Sequence, residues 1–175
     1  MNSEYSLRFP LGESPFPEHF NTKEIETHIQ EISLLPGNVA ELIKPLDRVK
    51  LKNNYRPAGW TGLQVLHHIT DSHLNAFCRL KLALTESNPT IKPYEEQAWA
   101  ELIDYDENML ETNLILLQAL HKKWVYLMQS LTEAQWRRTF YHPGNQKVTS
   151  LYQHVAIYAW HGKHHLEHFK LAISK

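Results

Sequence analysis

Apolar positions along the chain fall into four long stretches with helical spacing, separated by segments rich in proline, glycine and asparagine. The first begins at Asn21, where Asn21 followed by Glu24 predicts a capping box. It runs towards Lys44, with a break or kink at Pro36-Gly37, and Pro45 ends it because the residue before a proline avoids the helical conformation. The second begins at Thr61, capped in the same way by Gln64, and continues to about Glu86, just ahead of Asn88-Pro89. The third spans roughly Glu107 to Leu131, with Leu110, Leu114, Leu117, Leu120, Trp124 and Leu127 recurring at helical spacing. The fourth begins at Ser150, where Gln153 stands three residues later, and continues to about Ser174.

The segments between them read differently. Residues 1–20 form an irregular N-terminal arm, since Pro10, Pro15 and Pro17 block helix and Gly12 permits a turn. Tyr5, Leu7, Phe9 and Phe16 predict that the arm packs on the domain. A connection over residues 45–60 contains Pro57 and Gly59. After Pro93, a short helical piece covers Glu95 to Leu102. Thr132 with Gln135 caps another short helix that carries Trp136, and His142-Pro143-Gly144-Asn145 forms a turn. No strand pattern of useful length is visible. These elements predict an all-α fold, a four-helix bundle built by residues 1–175 as a single domain.

Charge narrows the function. The chain carries 18 basic and 19 acidic residues. No basic surplus exists to neutralise phosphates, so a nucleic-acid binder is excluded. The lone cysteine, Cys78, allows no internal disulfide, and no segment reads as a signal peptide or a membrane span; the cytoplasm is the expected compartment. The informative excess is histidine: there are 12, and five of them lie between His154 and His168.

On a helical wheel, Leu151, Val155, Leu166, Phe169 and Ile173 of the last helix form its core face. His154, His161, His165 and His168 form a stripe about 60° wide beside that face, and His164 lies outside it. His161 and His165 are four residues apart, so both rings can reach one ion. A third ligand must come from another helix, and the second helix offers His67, His68 and His73. Periodicity does not choose between His67 and His68, which flank the apolar face. His73 lies on that face and reads as a hydrogen-bonded core histidine. Asp71, one turn beyond His68, is either a surface carboxylate or a group that orients a ligand or takes a proton.

The segments YRPAGWTGLQVLHHITDSHLNAFCRLKLAL, PTIKPYEEQAWAEL and YAWHGKHHLEH resemble the YfiT-like branch of the DinB superfamily, and LRFPLGESPFPEHF is similar to its N-terminal arm. The resemblance implies a four-helix bundle with a three-histidine metal site. Its first ligand stands eight positions after the tryptophan of a WT motif, which from Trp60 is His68. The other two are the first and last histidines of an HxxHH motif, here His161 and His165. His168 stands where many members carry glutamine. A homodimer is also implied.

Three neutral nitrogens leave a divalent ion with an open position, as in catalytic rather than structural zinc sites. The resemblance implies a metal-dependent hydrolase that activates water at one zinc, or nickel, per chain and acts on a small-molecule substrate. Asp71 and Glu167 are the candidate bases. The alternative is an S-transferase that activates a low-molecular-weight thiol of the bacillithiol type, with Arg79 and Lys81 as possible contributors to thiol binding. A non-catalytic metal-binding stress protein is the third reading.

Overall fold

A computed structural model describes residues 4–175. In chain order its elements are α1 (Glu4–Arg8), α2 (Thr22–Ile43), a 3-10 turn (Arg48–Lys52), α3 (Gly62–Thr85), α4 (Glu96–Trp99), a second 3-10 turn (Glu107–Met109), α5 (Leu110–Gln129), α6 (Glu133–Trp136), β1 (Thr139–His142), β2 (Lys147–Ser150) and α7 (Leu151–Ile173). The four long helices are α2, α3, α5 and α7, and the fold is a four-helix bundle.

The start signals act as the side chains dictate. Thr61, Ser150 and Thr132 each accept from the backbone N–H three residues on, while Gln64, Gln153 and Gln135 return the bond, completing three capping boxes. Asn21 also caps α2, accepting from the Lys23 and Glu24 amides, but the Glu24 carboxylate bonds the Asn21 side chain rather than its backbone. The break expected at Pro36-Gly37 is absent: helix α2 runs unbroken from Thr22 to Ile43 with Pro36 inside it.

Packing couples α2 to α7 and α5, and α3 to α7 and α5. Consecutive long helices α2 and α3 therefore lie across the bundle from each other. One apolar cluster joins Ile25, Ile29 and Ile32 of α2 to Ala76 and Leu80 of α3, Trp124 of α5 and Val155 of α7. A second joins Leu35 and Val39 to Val65, Leu66 and Ile69, to Leu110 and Leu117, and to Leu166 and Phe169. Helices α2 and α7 thus run parallel to each other and antiparallel to α3 and α5. Between the two clusters lies a polar layer that contains His73 and His121, both buried. No described helix is long and apolar enough to cross a membrane.

Three further expectations need correction. The N-terminal arm is not wholly irregular, because Glu4–Arg8, ahead of the first proline, forms α1. Its apolar residues are unevenly covered: Leu7 and Phe9 are half-buried, whereas Tyr5 is 62% and Phe16 42% exposed. The third correction is a strand pair. β1 and β2 are antiparallel, Thr139 opposite Ser150 and His142 opposite Lys147, and they flank the turn read at His142–Asn145. Each strand has four residues, too few to display a period of two, and only Phe140 of β1 enters the core.

Candidate metal centre

His68 stands two turns into α3, and His161 and His165 stand one turn apart on α7, the helix packed against it. Close approach at this level depends on Gly162, where a Cβ would meet Leu35 Cδ2 at 2.6 Å and His73 Cε1 at 3.3 Å. One candidate ligand nitrogen from each of His68, His161 and His165 lies within 4.8 Å of the others, the one such group of His, Cys, Asp or Glu side chains among the described residues. Ring centroids are 5.3 Å apart for His68–His161, 4.6 Å for His68–His165 and 4.4 Å for His161–His165.

Sequence periodicity left His67 and His68 equivalent, and the structure separates them. His67 turns to the other flank of α3 and stacks on Tyr105 with centroids 5.0 Å apart. His154 leaves the stripe, burying itself beside Phe140 with its Nε2 3.0 Å from the Ala76 carbonyl. His164 lies outside the three-histidine group, as its angle predicts, yet it is buried against Trp160.

Burial governs the electrostatics. Desolvation, reinforced by His168, lowers His68 to about 4. Desolvation and the neighbouring imidazoles push His161 and His165 well below the ordinary histidine value. All three rings are therefore neutral near pH 7, the form that donates a lone pair to a metal. His68 Nδ1 is buried with no hydrogen-bond partner, and buried polar atoms are rarely left so. A neutral nitrogen donor set of this kind, with one member unsatisfied by protein, fits a divalent transition-metal ion.

The three rings line a pocket of about 380 Å³, together with Arg8, Tyr55, Arg56, Trp60, Glu96 and Gln97. Trp60 packs on His68 at 4.6 Å and donates its indole N–H to Gln97 Oε1 at 2.9 Å. Glu96 is a pocket carboxylate that sequence reasoning passed over, since α4 is too short to show a periodic face. Its carboxyl is raised by desolvation, against the opposing pull of Arg79. Asp71 is raised by desolvation as well, but it accepts a hydrogen bond from Tyr105 Oη at 2.9 Å and does not line the pocket. Glu167 pairs with Lys170 and is absent from the pocket wall. The basic side chains differ from those expected: Arg79 is buried and donates to Tyr158 Oη, Lys81 lies over the Phe77 ring, and Arg8 and Arg56 line the pocket instead.

Known proteins agree with this architecture. A relative from Halalkalibacterium halodurans, provisionally named a metal-dependent hydrolase, is 44% identical over 166 residues, covering 95% of this chain and 96% of its own. A relative from Bacillus cereus with the same provisional name is 46% identical over 162 residues, covering 93% and 92%. The structure of YfiT from Bacillus subtilis, described as having an unusual four-helix bundle topology and provisionally assigned as a metal-dependent hydrolase, superposes with a TM-score of 0.92 at 36% identity over 95% of both chains. The family model of the DinB superfamily matches residues 31–169, and the chain belongs to that superfamily.

Proposed function

We propose that this protein is a metal-dependent hydrolase in which His68, His161 and His165 hold one divalent ion, zinc in the first place and nickel as the alternative. The observation that carries the proposal is the convergence of three neutral imidazoles within 4.8 Å at a pocket wall. A divalent ion held by three nitrogens keeps a position open and lowers the pKa of water that reaches it towards about 7. Trp60 covers one side of His68 and limits solvent around the group. The proton-accepting role falls to one of two carboxylates made more basic by partial desolvation, Glu96, an exposed residue on the pocket wall, or Asp71, half-buried beside Tyr105.

A second reading, transfer of a low-molecular-weight thiol to an electrophile, is favoured by one observation. Arg8 and Arg56 give the pocket two guanidinium groups, which suit a thiol bearing a carboxylate. The same three histidines would serve, because a thiol held by the ion is deprotonated. As to assembly, we propose a homodimer, in line with the exposed apolar residues Leu34, Ile115, Leu116 and Tyr126 of α2 and α5. Light scattering that gives a monomer mass at micromolar protein removes the dimer. Tyr105 and Trp136 are buried and take no part in that exposed surface.

The deciding experiment loads the protein with zinc. Turnover of an ester and amide panel in thiol-free buffer is then compared with thiol-dependent consumption of an electrophile. Wild type should be active and His161→Ala, folded by circular dichroism, should be inactive and metal-free. Equal activity in the two proteins rejects the metal-dependent reading.

A further inference from the structure

The two α7 histidines of the site are each continued by a line of imidazoles that ends on a backbone carbonyl. In the first line, His161 Nδ1 lies 3.3 Å from His73 Nε2, His73 Nδ1 lies 3.0 Å from His121 Nε2, and His121 Nδ1 lies 2.7 Å from the Ile32 carbonyl. In the second, His165 Nδ1 lies 3.3 Å from His168 Nδ1, and His168 Nε2 lies 3.2 Å from the Arg8 carbonyl.

A carbonyl can only accept, and a neutral imidazole has one donor and one acceptor nitrogen. Those two facts fix every proton. The Ile32 carbonyl requires a proton on His121 Nδ1, so His121 Nε2 accepts. His73 must then donate from Nδ1 and accept at Nε2, and His161 must donate from Nδ1. The Arg8 carbonyl requires a proton on His168 Nε2, so His168 Nδ1 accepts and His165 donates from Nδ1. Both lines deliver the same result: His161 and His165 carry their protons on Nδ1 and keep the Nε2 lone pair. The Ser72 hydroxyl lies 3.3 Å from His161 Nε2, close enough to hydrogen-bond that lone pair only when no ion takes it.

The origin of the first line is legible in one residue. Pro36 has no N–H, so the carbonyl four residues earlier, that of Ile32, lacks its helical partner. His121 takes the place of the missing amide. The second line begins in the N-terminal arm, at the last residue of α1.

We propose, building on the three-histidine reading, that His121 with His73 and, separately, His168 are positioning residues that fix the Nε2 lone pairs of His161 and His165 towards the metal. Ligand tautomer and ring orientation set by such outer partners commonly govern metal affinity by about 10–100-fold.

Two measurements test this. The first uses metal-free wild-type protein and long-range ¹H–¹⁵N correlation spectra of the imidazoles. His161, His165, His73 and His121 should all show the Nδ1–H form and His168 the Nε2–H form. An Nε2–H form at His161 or His165 overturns the proposal, and this holds whether or not the protein binds metal. The second measures zinc affinity by competition with a chromophoric chelator. His168→Leu and His121→Leu, which can neither donate nor accept, should weaken zinc by about 10–100-fold. His168→Gln and His121→Gln should recover most of it, because a glutamine amide accepts through its oxygen and donates through its nitrogen. Equal affinity for the Leu and Gln variants of either site, with both folded, overturns its positioning role. If a Leu variant fails to fold, the wild-type tautomer spectrum decides. Wild-type protein that binds no zinc removes the three-histidine reading and leaves the tautomer result standing on its own.

Discussion

Pro36 of α2 and His121 of α5 meet at one atom: the Ile32 carbonyl that the proline leaves without an amide receives the His121 Nδ1–H at 2.7 Å. A residue that ordinarily weakens a helix interior is thereby joined to the polar layer of the bundle. Pro36→Ala gives the carbonyl a competing backbone N–H. It should raise helix stability by no more than the roughly 3 kcal/mol that an interior proline costs, while weakening zinc binding a few-fold. Thermal melting and zinc titration of the same preparation check both halves, and a variant that gains stability with unchanged zinc affinity disproves the link.

The buried histidines predict an acid-sensitive fold. Desolvation lowers His121 to about 4 and His154 to about 3, each partly offset by a bond to a backbone carbonyl. In the unfolded chain both titrate near 6.5. Between those values the unfolded state binds protons that the native state refuses, so stability rises with pH across that window. It is complete above about 7 and is lost as pH falls from 6.5 towards 4. Each unit of depression is worth about 1.4 kcal/mol per group, and several groups together rival the 5–15 kcal/mol that holds a typical domain. Metal-free protein should therefore unfold between about pH 6 and 4, seen as a falling melting temperature. A melting temperature constant over that range contradicts the burial of neutral imidazoles.

His164 separates metal binding from packing. Its ring stacks on Trp160 at 4.3 Å and lies outside the three-histidine group. His164→Ala should retain one zinc per chain by elemental analysis and yet melt lower, since a buried ring is removed. Zinc at a hundred times its dissociation constant should stabilise wild type and this variant alike by about 2.7 kcal/mol, or roughly 5–10 °C in a chain of this length. Loss of zinc from His164→Ala would falsify the assignment of ligands.

How much of this was legible in the sequence depended on how local the signal was. Capping boxes at Thr61, Thr132 and Ser150 depend on residues three apart, and helix starts could be read directly. The i, i+4 spacing of His161 and His165 is equally local. The choice of His68 over His67 is not: it depends on how α3 rotates against α7, which periodicity on a single helix leaves open. Glu96 and Arg8 sit on elements of four and five residues, too short to show a face. The imidazole lines were hidden for another reason, since each link joins residues from different helices or from the arm. His73 could be read as a hydrogen-bonded core histidine, but its partners could not.

The identity of the proton acceptor is the last point the geometry sharpens. Glu96 lines the pocket with the three histidines, and desolvation raises its carboxyl above the ordinary glutamate value. Asp71 is raised as well, yet its Oδ2 already accepts from Tyr105. A base must be ionised to accept a proton, so activity should fall as pH drops through the raised value of whichever carboxylate serves. Glu96→Gln should lower kcat by about 10²–10⁴-fold and abolish that acidic limb, with zinc content unchanged. Asp71→Asn keeps an oxygen acceptor for Tyr105 and should retain the acidic limb. The opposite pattern, with the limb lost in Asp71→Asn and kept in Glu96→Gln, moves the role to Asp71. A pH profile with no acidic limb in any of the three proteins removes carboxylate base catalysis altogether.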